Sequence, residues 1–300
     1  MNRLDGKVAL VTGSGRGFGR SIAMAYAIEG AKVVVASRTR SELEDMARVT
    51  RSLGGDVLVV PTDLSKEEDI HSLRDKVLDT YGRLDILVNN AATSPWKTIE
   101  EMTVQDWDRT IDVNLRAQFI LTKDFLNTMK SQGRGSIINV TSRSAEIGFV
   151  AEIGYCPSKY GIEGLTQCLA LELKPHNIAV NSLNVSSPPG KTLKPTELTL
   201  AEAQKMPKEI RERYADDESM VEAFKDAWTF LALQDASGVT GQRLRTKDLA
   251  EYLSRNGWEA AVENWRGKLT KAVYVTYDFP KSVRYQTGIG GSEIKELKFG

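Results

Sequence analysis

The 300-residue chain is predicted to fold as an α/β protein, one doubly wound parallel sheet with helices on both faces. Three observations lead there: short β-branched runs alternate with longer amphipathic stretches, the runs are apolar throughout, and a glycine cluster follows the first of them. Strands apolar on both sides belong in a sheet covered on both faces. Their alternation with helical stretches calls for repeated parallel βαβ units.

Strands are expected at 8–11, 32–36, 57–60, 86–89, 136–141 and 178–183, and helices at 41–53, 67–81, 104–130 and 154–173. In the third helix, Trp107, Ile111, Leu115, Phe119 and Thr122 recur at helical spacing. No linker-like stretch precedes residue 185, so 1–245 reads as one domain. Within it, residues 185–215 carry Pro188, Pro189, Pro195 and Pro207 and are too long for a simple turn, which suggests a lid. Residues 246–300 read as an extension packed on the same domain. It has two helical patterns, Leu249, Tyr252 and Leu253 ended by Gly257, then Trp258, Ala261, Val262, Trp265 and Leu269. Trp258 and Trp265 are taken as packing residues.

Forty basic and forty acidic side chains cancel, which argues against a nucleic-acid or anionic-membrane partner. With 41% hydrophobic residues the chain can bury a core, and no apolar stretch approaches the ~18 residues of a membrane span. Arg3, Asp5 and Lys7 leave no room for a secretory signal. Cys156 and Cys168 fall about 18 Å apart along one expected helix, too far to bridge. The expectation is a reduced, cytoplasmic protein. With His71 and His176 as the two histidines, neither a Ser-His-Asp triad nor a metal site is expected.

After the first strand the chain reads Thr12-Gly13-Ser14-Gly15-Arg16-Gly17-Phe18-Gly19. The Gly-x-Gly-x-x-Gly spacing is not met; the spacing present is Gly13-(x)3-Gly17-x-Gly19. The physical purpose is shared, since a tight turn without Cβ atoms brings a helix N-terminus up to a pyrophosphate. A dinucleotide is therefore expected here. The second strand ends Val35-Ala36-Ser37-Arg38, without the acid that would receive a free ribose. Arg38 can bind a 2′-phosphate, with Arg16 as a second cation, so NADP(H) is expected over NAD(H).

Tyr155 and Lys159 lie four residues apart on one helix face. An ammonium beside a phenol favours the phenolate, which would make Tyr155 an acid/base at a hydroxyl or carbonyl. Ser142 stands thirteen residues earlier at a strand end, where ligands bind in parallel sheets. Trp96, Arg143, Glu146 and Cys156 flank these positions as candidates for the substrate pocket. Gly190-Lys191-Thr192 looks like the end of a P-loop but lacks its first glycine. The acidic pairs Glu67-Glu68 and Asp216-Asp217 are read as solvated helix faces.

Taken in order, Gly13-(x)3-Gly17-x-Gly19, Asp63-Leu64, Asn89-Asn90-Ala91, Asn114, Ser142 and Tyr155-(x)3-Lys159 resemble the short-chain dehydrogenase/reductase family over most of residues 5–245. The resemblance implies a seven-stranded Rossmann sheet and a carbonyl or alcohol substrate. It implies that Ser142 orients the substrate oxygen, Tyr155 exchanges the proton, Lys159 holds the nicotinamide ribose, and Asn114 supports a water-mediated proton path. Asp63 and Leu64 would meet the adenine, Asn90 and Ala91 the nearby ribose, and Thr192 the carboxamide. It also implies a homotetramer or homodimer through the helices at 104–130 and 154–173. Ala92 and Phe18 depart from the usual pattern, and Val185-Ser186 occupy the place of the family's Pro-Gly. A 3-oxoacyl thioester, a sugar or polyol, and a cyclic or aromatic ketone stay open as substrates, with a non-catalytic NADP(H)-sensing protein as the alternative function.

Overall fold

The computed structural model describes residues 2–193, 198–271, 280–287 and 293–298. Seven parallel strands form one sheet in the order β3-β2-β1-β4-β5-β6-β7, the expected Rossmann arrangement. They are β1 Val8–Thr12, β2 Lys32–Ser37, β3 Asp56–Pro61, β4 Ile86–Asn89, β5 Gly135–Thr141, β6 Ile178–Asn184 and β7 Arg243–Arg245. The crossover helices are α1 Gly17–Ile28, α2 Arg40–Ser52, α3 Glu67–Tyr81, α4 Val104–Ile111, α5 Ala117–Gln132, α6 Tyr155–Leu173 and α9 Asp217–Ala232. Short α7 Leu200–Lys205 and α8 Lys208–Arg211 fall within the lid, and α10 Thr246–Trp265 follows β7.

The strands bury both faces, and the two-residue period sorts their side chains into two cores. Ala9, Val11, Val33 and Val35 pack with Tyr26, Phe224 and Trp228 of α1 and α9. Val8, Leu10, Val34 and Ala36 pack with Leu73, Leu121 and Phe125 of α3 and α5. This sandwich fixes the carboxyl ends of β1, β4 and β5 side by side, where the cleft opens.

The helix expected at 104–130 is interrupted. Between α4 and α5, Asp112–Arg116 forms a single π turn carrying the buried Asn114. A π turn holds one residue more than an α turn and often marks a functional position. The buried side of α5 is made by Ile120, Leu121, Phe125 and Met129, whereas Trp107 and Phe119 face outward.

Beyond the sheet, α10 bends at Gly257, whose φ of 81° breaks the helical path at the point the sequence marks. Leu249, Leu253 and Ala261 join the first core, Trp258 meets Phe230 edge-on at 5.5 Å, and the Arg3 guanidinium covers the Trp258 ring at 4.9 Å. An antiparallel pair, β8 Ser282–Thr287 and β9 Glu293–Lys298, follows; the sequence reading does not anticipate it. Val283 and Tyr285 alternate with polar neighbours along β8, but the exposed, charged β9 carries no such alternation. Pro195 of the lid and residues 272–279, 288–292 and 299–300 of the extension lie outside the described residues. None of the described helices is long and apolar enough to cross a membrane.

Candidate active site

A cleft at the carboxyl edge of the sheet is lined at one end by Gly13, Arg16, Gly17, Phe18, Ser37, Arg38, Asp63 and Leu64, and toward the other by Asn90, Ala91, Tyr155 and Lys159. The glycine turn depends on close approach. A Cβ on Gly19 would fall 2.2 Å from Asn90 Nδ2 and 2.6 Å from the Gly13 carbonyl, and Gly13 itself has a φ of 65°. Asn90 braces this turn rather than pointing away from it. Its Nδ2 donates to the Thr12 carbonyl at 2.8 Å, and its backbone N–H to Thr12 Oγ1 at 3.0 Å. Phe18 meets Trp228 edge-on at 5.4 Å, so the larger residue is accommodated by the α9 core.

At the adenosine end, Ser37 Oγ is buried without a hydrogen-bond partner. Arg38 is exposed at the rim and acts with Arg109 on Asp63. Burial works to raise the Asp63 carboxyl, but bonds from Ser65 and these two guanidinium groups hold it below its ordinary value. Arg16 is not presented as a simple second cation, because its Nη1 bonds Glu42 Oε2 at 2.9 Å. Glu42, from the first turn of α2, brings an acid to the same corner: it and Ser37 Oγ both lie about 3 Å from where a Cβ on Gly15 would stand. Position along the chain concealed it, since the expected acid belongs at the strand end.

Asp216 and Asp217 also line the cleft; Asp216 is exposed, as its reading as a solvated residue expects, whereas Asp217 is half-buried and bonded. Asp216 caps α9 by accepting from the Ser219 N–H at 2.8 Å; Asp217 accepts from Arg20 Nε at 2.7 Å and Ser21 Oγ at 3.0 Å. Thr192 stands outside the cleft. It is exposed and its backbone is bonded to Arg213 and Ala215, while Leu193 and Leu198 line the cleft instead. The displaced Pro189-Gly190 turn shifts the register of this segment.

At the other end, α6 projects Tyr155 and Lys159 to one side, with the ammonium 5.3 Å from the phenol ring centroid. Lys159 Nζ donates to the Val140 carbonyl at 2.9 Å. Burial pulls the ammonium from 10.5 down to about 8, although Glu163 works to raise it. Burial also pushes the Tyr155 phenol well above its ordinary value; Glu152 adds to this, and a hydrogen bond with Ser142 opposes it. Burial thus moves the phenol in the direction opposite to the one expected from the ammonium and favours its neutral form.

Ser142 is tied into a chain of polar groups that the sequence reading missed. Its Oγ accepts from the Ser144 N–H and bonds Ser144 Oγ, both at 3.2 Å; Ser144 Oγ donates to Glu152 Oε2 at 2.7 Å. Burial raises the Glu152 carboxyl above its ordinary value, and the neighbouring Cys156 thiol is pushed up to about 11. Trp96 and Ala151 adopt left-handed backbone, with φ of 53° and 64°, immediately before the bridged pair Lys97 and Glu152. Strained residues of this kind gather at functional sites. Glu146 is drawn off by Arg243 and Arg245, and Arg143 lies over Phe149. Asn114 is 0% exposed and its amide is committed: Oδ1 accepts from the Thr93 N–H at 2.8 Å, and Nδ2 donates to the Thr93 carbonyl and Ser158 Oγ, each at 3.0 Å. Its side chain braces the loop after β4 against α6.

A dinucleotide fold with a Tyr–Lys pair and a serine at the sheet's carboxyl edge defines an oxidoreductase of alcohol and carbonyl groups. The short chain dehydrogenase family model matches residues 7–198, and the chain belongs to the short-chain dehydrogenase/reductase family. It is 34% identical to an uncharacterized oxidoreductase of Thermotoga maritima over 79% of this chain and 94% of that one. It is 32% identical to the 3-oxoacyl-[acyl-carrier-protein] reductase FabG of the same organism, over 80% of this chain and 96% of that protein. The crystal structure of a metagenomic short-chain oxidoreductase in complex with NADP superposes with a TM-score of 0.66 at 28% identity, covering 81% and 98% of the two chains.

Proposed function

We propose that the protein transfers hydride between NADP(H) and a carbonyl or secondary alcohol, with Tyr155 as the acid/base. The observation that carries this is the convergence of Ser142, Tyr155 and Lys159 beside a cleft whose glycine turn has no room for a Cβ at Gly13 or Gly19. The unpartnered Ser37 hydroxyl, with Arg38 beside it, fits a phosphorylated ribose. Glu42 opposes that fit and Arg16 neutralises it, leaving Arg38 to favour the 2′-phosphate.

When bound, NADP(H) supplies or accepts the hydride. Tyr155, held as the neutral phenol, donates its proton to the oxygen of the carbonyl being reduced. Ser142 orients that oxygen through its hydroxyl. Lys159 holds the nicotinamide ribose and lowers the cost of the phenolate left behind. The exposed apolar residues Trp107, Phe119, Tyr160 and Leu171 on α4, α5 and α6 support assembly as a homodimer or homotetramer through these helices.

The test is NADPH absorbance decay over a panel of 3-oxoacyl thioesters, sugars and cyclic ketones. Turnover by the native chain and a loss on the order of 10³-fold in Tyr155→Phe is the expected result. Retained turnover in that variant removes the assignment of the acid. Binding titrations should give a lower Kd for NADPH than for NADH; equal values, or the reverse order, overturn the cofactor preference.

A further inference from the structure

The C-terminal extension returns to the sheet at its outermost strand, β7, two strands from β5, whose end leads into Ser142. The Thr270 N–H donates to the Gly241 carbonyl at 3.0 Å, and Thr270 Oγ1 accepts from the Arg243 N–H at 2.9 Å. Gln242 Nε2 donates to the Lys268 carbonyl, and the Leu269 side chain lies where a Cβ on Gly241 would be. Lys268–Thr270 is thereby fastened along the outer edge of β7.

From that strand the Arg243 guanidinium reaches inward and divides its donors among three groups. Nη2 donates to the Ser142 carbonyl at 3.0 Å, Nη1 to Glu146 Oε1 at 2.6 Å, and Nε to Glu163 Oε1 at 2.9 Å. The Ser142 carbonyl otherwise accepts from the Ala145 N–H, and Glu163 Oε2 accepts from Ser182 Oγ at 2.8 Å. Glu163 is also the carboxylate that acts on Lys159. One planar cation therefore fixes the backbone of the serine and compensates the acid facing the lysine. Arginine suits this task because its donors diverge in a rigid plane.

We infer that Arg243 is a positioning residue for Ser142 and Lys159, held in place by Lys268–Thr270 of the extension. This rests on the roles proposed for Ser142 and Tyr155, and it assigns the extension a part in turnover that lies outside the family-matched residues 7–198. In the full-length chain, Arg243→Met is expected to lower kcat by about 10- to 100-fold, the scale of a misplaced catalytic group, with a smaller change in the NADPH Kd through Lys159. Without its guanidinium partner Glu163 acts more fully on Lys159, so the basic limb of the kcat/KM profile moves upward. Thr270→Val is expected to reproduce a smaller fall in kcat with the same ordering of effects. Added to Ser142→Ala, Arg243→Met should cost far less than it does alone.

A native kcat and an unmoved pH limb in well-folded Arg243→Met overturn the inference, as does full additivity with Ser142→Ala. If circular dichroism shows Arg243→Met to be unfolded, Arg243→Lys and Thr270→Val carry the test. A native kcat in both of these overturns the inference equally. Turnover that survives in Ser142→Ala and Tyr155→Phe removes the underlying roles instead, which separates the two failures.

Discussion

At the end of the cleft proposed for the adenosine, Arg16 meets Glu42 and Arg38 stands near Asp63, with solvent reaching both pairs; at the end proposed for catalysis, Lys159 is fully buried with a backbone carbonyl at its ammonium, and the partly exposed Tyr155 lines the cleft beside it. Similar charged groups are handled in two ways. Near solvent, opposite charges remain ionised and their pairing adjusts affinity by small steps. In the interior the cost of desolvation changes the protonation balance itself, and chemistry becomes possible near neutral pH.

The largest break in that comparison is Lys159→Met. Turnover should fall by roughly 10²- to 10⁴-fold, while the ligand-free chain becomes more stable at neutral pH. A lysine whose folded value is about 8 against 10.5 binds its proton less readily folded than unfolded. The resulting destabilisation is complete below about pH 8, reaches about 3 kcal/mol, and is relieved as pH rises toward 10.5. Thermal melts of both chains at pH 7 and pH 10.5 check this, since the advantage of the variant should shrink at the higher pH. At the solvent-exposed end the effect is gentler. Glu42→Gln releases Arg16 and is expected to tighten NADPH by roughly two- to fivefold without altering NADH to the same degree, a step of the size found for partly exposed ion pairs. The smallest effect sharpens the comparison. Glu163→Gln removes the charge that supports the Lys159 cation, so the limb near pH 8 in kcat/KM for reduction should move lower.

What the sequence disclosed, and what it concealed, follows the range of the interactions. The glycine turn, the Tyr155–Lys159 pair and the strand runs each depend on neighbours within a few residues, so spacing alone reveals them. The bend at Gly257 was visible for the same reason. Glu42 and Arg243 act across the fold: Arg243 reaches a carbonyl 101 residues away, and no local pattern records such a contact, while Glu152 bonds Ser144 eight residues off through a loop without regular spacing. Asp216 and Asp217 look like any acidic helix start until α9 is docked against the glycine turn. The direction of the phenol's shift is hidden from the sequence for a related reason. Proximity to the ammonium can be read from a four-residue spacing, whereas the desolvation of the phenol comes from residues the fold brings around it. The β8–β9 pair is hard to read because β8 alternates, with Val283 and Tyr285, while Ile294 and Leu297 of β9 stand three apart.

Sealing of the outermost strand by Lys268–Thr270 limits how copies of this chain can combine. The Arg243 N–H on that border is already taken up by a threonine hydroxyl, so a second copy would have to displace Thr270 to extend the sheet there. The outward aromatics of α4 and α5 lie instead on the helices that cross between β4 and β5 and flank the middle of the sheet, the surface proposed above for assembly. A self-complementary patch on a single flank is used up once two molecules have met.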